Sequence, residues 1–109
     1  MQERVMAFNI VHRGGWFEDK PSIEMFEELY NERFIEDDEH LSVSVAHESE
    51  WYLSLYPDGE IVWENVEATD NEPRHMDDVP KDKVLELWTK LANGDIESIE
   101  AEPWLPGYY

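Results

Sequence analysis

Apolar and polar residues alternate through the middle of this chain. Leu41, Val43 and Val45 alternate with Ser42, Ser44 and Ala46, and Trp51, Leu53 and Leu55 with Tyr52, Ser54 and Tyr56. Ile61, Trp63 and Asn65 follow, against Glu60, Val62 and Glu64. A period of two marks strands buried on one face. Glu48-Ser49-Glu50 and Pro57-Asp58-Gly59 punctuate the runs, and Gly59 suits the left-handed position of a short hairpin loop. The pattern predicts a three-stranded antiparallel meander over residues 41–66. With Tyr56 facing Glu60, Leu55 falls opposite Ile61, Leu53 opposite Trp63, Val45 opposite Leu53 and Val43 opposite Leu55. A slip of one residue would turn every apolar side chain to water, so this register is strongly specified.

Around the meander the period changes. Residues 5–12 (VMAFNIVH) are apolar on both sides and predict a further strand, ended by Gly14-Gly15. The pattern leaves open which edge of the meander it joins. Trp16 and Phe17, just before a helix start, are expected to lie over the core as a lid. Pro21-Ser22 opens a helix expected to reach about residue 36, with Ser22 as N-cap and Ile23, Phe26, Leu29, Tyr30 and Phe34 as its apolar stripe. Glu24, Glu27, Glu28 and Glu32 take its other face. No Lys lies at four-residue spacing to pair with them. Residues 67–79 read as a long polar loop. A second helix is expected over 80–92, with Val84, Leu87, Trp88 and Leu91 inward and Asn93-Gly94 as its stop. Residues 95–100 suit one more helical turn, burying Ile96 and Ile99.

The expected order is therefore β-α-β-β-β-α in a single α+β domain over 1–109. Two main helices pack on one face of an antiparallel sheet made of the meander and the N-terminal strand. Residues 102–109 form an aromatic, proline-punctuated tail, expected to dock on the domain or on a partner.

Charge changes the picture more than length does. There are 27 Asp and Glu against 8 Lys and Arg, a net charge of −19. Between Phe34 and Pro73 no Lys or Arg occurs, while twelve carboxylates do. Such a field repels nucleic acid and anionic membrane and draws in cationic partners. Direct nucleic-acid binding and membrane association are therefore not expected. Halophilic acidity is a competing account, but Glu outnumbers Asp by 18 to 9 and Ala is only 5. With no Cys, disulfides, Cys-ligated metal and a thiol nucleophile are excluded. No signal-peptide pattern and no long apolar run occurs, and the chain reads as soluble and cytoplasmic.

No catalytic signature is present: neither GxSxG, nor a phosphate-cradling Gly-rich loop, nor HExxH. Paired carboxylates carry no information in so acidic a chain. His47 with Glu48 or Glu50, and His75 with Asp77 and Asp78, are the two arrangements open to a metal reading. The commoner reading of each is an unliganded strand-end His and a capping segment, so no metal or cofactor is expected. The outward face of the meander is more suggestive. Tyr and Ser rimmed by carboxylates suit recognition, because Tyr offers contact area at low entropy cost. The expected function is a non-enzymatic module of inhibitor or immunity type, or a nucleic-acid mimic, that binds a basic protein. Glu36, Asp37, Asp38, Glu39, Tyr52, Tyr56, Glu60 and Glu64 are its candidate contact residues. One alternative is a small-molecule or metal site where His75, Asp77 and Asp78 meet Trp104 or Tyr108. Another is a structural subunit whose tail packs across a homodimer.

Overall fold

The structure is a computed structural model that describes residues 8–18, 21–35, 42–67 and 72–107. Residues 5–7, Glu36, Asp37, Asp38, Glu39, Leu41 and Tyr108, all of which figure in the sequence reading, lie outside the described residues.

The strands are β1 (Phe8–Val11), β2 (Val43–His47), β3 (Trp51–Leu55), β4 (Ile61–Asn65), β5 (Arg74–Met76) and β6 (Leu105–Pro106). The helices are α1 (Phe26–Glu32), α2 (Lys81–Ala92) and α3 (Ile96–Glu100), with a 3-10 turn over Ile23–Met25 leading into α1. All six strands form one antiparallel sheet in sequence order, β1-β2-β3-β4-β5-β6. The α+β class is as expected, but the four-strand sheet and the order β-α-β-β-β-α are not. β5 arises inside the stretch read as a loop, and β6 is the docked part of the tail. Each is too short, at three and two residues, to show an alternation of its own.

The meander has the register set by its hydrophobic pattern. Val43 pairs with Leu55, Val45 with Leu53, Leu53 with Trp63 and Leu55 with Ile61, and the Tyr56 amide donates to the Glu60 carbonyl. β1 joins at the β2 edge, Ile10 opposite Val45. The inner face therefore carries Ile10, Val43, Val45, Leu53, Leu55, Ile61 and Trp63, all fully buried against Phe26, Leu29, Val84, Leu87, Trp88 and Leu91 of the helices. At roughly 1.5–3 kcal/mol per fully buried large side chain, this contact is the main stabilising term. Trp88 pins α2 to the sheet by donating its indole N–H to the Leu53 carbonyl at 3.0 Å.

Helix termini follow local chemistry. Ser22 is the N-cap of the first helical segment, its hydroxyl accepting from the Glu24 amide at 3.2 Å. That segment begins as 3-10 and ends at Glu32, four residues short of expectation, with no basic residue in its last turn to offset the dipole. The stripe is cut accordingly. Phe26 and Leu29 are buried, but Ile23 and Phe34 are exposed, and the Arg33 guanidinium lies 3.9 Å from the Tyr30 and Phe34 ring centroids. α2 ends as expected at Asn93-Gly94. Gly94 takes φ +79, its amide donates to the Leu91 carbonyl, and the Asp95 amide donates to the Lys90 carbonyl, the double bond of a Schellman stop.

Trp16 and Phe17 are not a lid. Both are more than half exposed. Trp16 stacks on His12 at 3.8 Å, and Phe17 bridges to Val11 beside the sheet edge. No described helix is long and apolar enough to cross a membrane.

Candidate functional site

Residues paired across an antiparallel ladder share a face, so the register lays out the outer face row by row. One row runs Asn9, Ala46, Tyr52, Glu64. The next runs Val11, Ser44, Ser54, Val62, His75, Leu105, and the Phe17 bridge extends it past Val11. Its centre is closed: Val62 is 1 % exposed, and the buried Ser44 and Ser54 hydroxyls hydrogen-bond to each other at 2.7 Å. Such a pair satisfies two polar groups that burial would otherwise penalise.

The sequence-predicted residues therefore divide. Tyr52, Tyr56 and Glu64 lie on the outer face, half-buried. Glu60 shares that face but is only 5 % exposed. Its turn packs against the β5–α2 loop, where the Val79 amide donates to the Gly59 carbonyl at 3.2 Å.

Tyr52 belongs to a second grouping that sequence reasoning did not assemble. At the β2–β3 hairpin, Tyr52, Phe17, Ala46, Glu48 and Glu50 line a hollow of about 220 Å³, which Phe8 borders while its ring packs edge-on against Phe26 of the core. Glu50 holds the hairpin tip at φ +75, and its amide donates to the His47 carbonyl at 2.8 Å. Burial, with the Glu50 charge adding to it, pushes the Tyr52 phenol above its ordinary value. The phenol therefore stays a neutral donor at physiological pH. Phe17 was the missing partner. Only the Val11 bridge brings it over the face, and an isolated bridge leaves no periodic trace in the sequence.

The His residues have separate settings. His12 is buried between Glu32, 2.8 Å from Nδ1, and Glu18, 2.7 Å from Nε2, and so ties the β1 end to α1. His47 Nδ1 accepts from the Ser49 amide at 3.1 Å. His75 lies beside Glu60 and Asp77, with one potential donor atom from each within 4.8 Å of the others. The alternative grouping around the tail is only partly assembled. Asp77 and Asp78 share a surface hollow with Glu102, Pro103 and Leu105. Trp104 instead turns to the other side, its indole N–H donating to the Ile99 carbonyl at 2.7 Å and its ring stacked toward Trp63.

Comparison with protein-family models, with curated proteins and with solved structures finds no match.

Proposed function

We propose that the protein is a non-enzymatic binding module of inhibitor or immunity type that takes up a basic protein at the β2–β3 end of its outer sheet face. The observation that supports this is the hollow lined by Phe17 and Tyr52 together with Glu48 and Glu50. Aromatic faces beside carboxylates suit a Lys or Arg side chain. The ring quadrupoles hold the cation by about 0.5–2 kcal/mol and the carboxylates pair its charge. Phe17, 53 % exposed, offers the aromatic area from which interface anchors are built. The surrounding field favours the same partner, since residues 34–73 contain no Lys or Arg. That field speeds encounter, while the hollow sets which side chain is held.

The test is capture from a lysate of the source cells at low and high salt, with wild-type protein and a Glu50→Lys/Tyr52→Ala variant, and mass identification of what is retained. A basic protein held by the wild type at low salt, weakened at high salt and lost by the variant is the expected result. Equal retention by both proteins would overturn the assignment of this face.

A further inference from the structure

At the other end of β4 from Glu64, Glu60 carries a buried carboxylate for which the fold supplies too few partners. The residue is 5 % exposed, and its Oε2 has no hydrogen-bond donor among the described residues. Leaving a buried charge in that state is costly. Glu60, Asp58, Asp77 and Asp78 line a hollow of about 280 Å³.

His75 is oriented as a ligand would be. Its Nδ1 lies 2.7 Å from the Gly107 carbonyl oxygen, which can only accept, so Nδ1 carries the proton. In the neutral ring Nε2 then presents a bare lone pair toward Asp77, whose Oδ2 lies 3.9 Å away. That separation is too long for a hydrogen bond, but it suits two donors that share an ion. A ring nitrogen on the metal side with its opposite N–H on a backbone carbonyl is the usual arrangement of a metal-bound histidine.

We propose that Glu60, His75 and Asp77 bind one divalent transition-metal ion of the zinc or manganese kind. One imidazole and two carboxylates are a mixed nitrogen and oxygen donor set, which favours such ions over magnesium or calcium. At bond lengths of about 2.0–2.2 Å a tetrahedral ion sets its donors roughly 3.3–3.6 Å apart. The observed spread of up to 4.8 Å therefore closes by roughly an ångström on binding, and Asp77, exposed on its loop, is the residue that moves. Water or the neighbouring Asp58 and Asp78 complete the shell. The ion would clasp the β3–β4 turn to β5 and, through the His75 bond to Gly107, to the tail. This site is independent of the hollow at Tyr52, and its test does not involve the partner protein.

The experiment is calorimetric titration of chelator-treated protein with Zn²⁺ alone in physiological salt, which suppresses loose binding to surface carboxylates. Saturation at one Zn²⁺ per chain is expected, together with a raised thermal midpoint that the same concentration of Mg²⁺ does not produce. His75→Gln and Asp77→Asn should weaken Zn²⁺ by more than the about 10- to 100-fold typical of losing an outer partner, and His47→Gln should leave it unchanged. Glu60→Gln should also lose the ion while melting higher than the wild type without metal, since it removes the unpartnered charge. A purely structural Glu60 would not give that opposition. Failure to saturate at one equivalent, or undiminished binding by His75→Gln and Asp77→Asn, would overturn the proposal.

Discussion

Glu100 joins the last helical turn to the sheet, and replacing it with Gln tests how much that join contributes. Its Oε2 accepts from Arg74 Nη2 at 2.8 Å and from the Trp63 indole N–H at 3.0 Å. Trp63 itself is fully buried and stacked on Trp51 at 4.3 Å. In a closed site each charge-assisted bond would contribute about 1.5–3 kcal/mol. Here the Glu100 and Arg74 side chains are 34 % and 29 % exposed, so the ion pair falls toward the roughly 0.2–1 kcal/mol of a screened surface pair. The Trp63 bond keeps about 1 kcal/mol, of which a Gln oxygen recovers part. The expected net loss in Glu100→Gln is about 1 kcal/mol, a fall of roughly 4–8 °C in thermal midpoint.

The pH dependence gives the same prediction a sign. Burial pushes the Glu100 carboxyl up, but the hydrogen bonds from Arg74 and Trp63 outweigh it and hold the carboxyl below its ordinary value. A carboxylate with a lowered folded-state pKa stabilises the fold above its unfolded value. That stabilisation is lost as pH falls from there through the folded one. Urea unfolding of both proteins from about pH 7 to about pH 3 should show their difference shrinking across the acid end of that range. A difference that stays constant with pH, or no difference at neutral pH, would refute the account of this contact.

Gly94→Ala places a Cβ 3.3 Å from His47 Nε2 at φ +79, and should cost about 1–2 kcal/mol in a thermal melt. An unchanged midpoint would mean that the α2 stop does not depend on glycine. Removing residues 102–109 takes away the Lys83–Glu102 pair at 2.8 Å, the Trp104 bond to Ile99 and strand β6. The expected result is a lower midpoint with unchanged mass in solution by light scattering, whereas a change of oligomeric state would move the tail to an interface between copies.

The meander was legible because three consecutive strands each show at least two large apolar residues at a spacing of two, and any other register exposes them. Arg74-His75-Met76 and Leu105-Pro106 carry no such signal. Their pairing depends on where the β5–α2 loop and the α3 turn happen to return the chain, as the Gly107 amide to the Pro73 carbonyl at 2.8 Å shows. The helix ends at Glu32, short of the stripe that predicts it, because the apolar spacing through Phe34 continues in sequence after the backbone has left the helix. At the candidate sites, Tyr52 and the facing of Glu60 followed from alternation, but burial of Glu60 did not. It comes from the packing of the Gly59 turn against Asp78, whose Cα would stand 3.7 Å from a Cβ there. The His75 sequence neighbourhood pointed to Asp77 and Asp78. Its third neighbour, Glu60, comes from the turn just before β4 and is brought near by the pairing of Val62 with His75.

The central claim, that a basic partner sits at the β2–β3 end of the outer face, is tested most directly by amide hydrogen exchange on the protein alone and with the captured partner bound. The account predicts slowed exchange over residues 46–52 and around Phe17, with the start of α2 at residues 81–83 unchanged. Protection at α2 with none at residues 46–52 would contradict it.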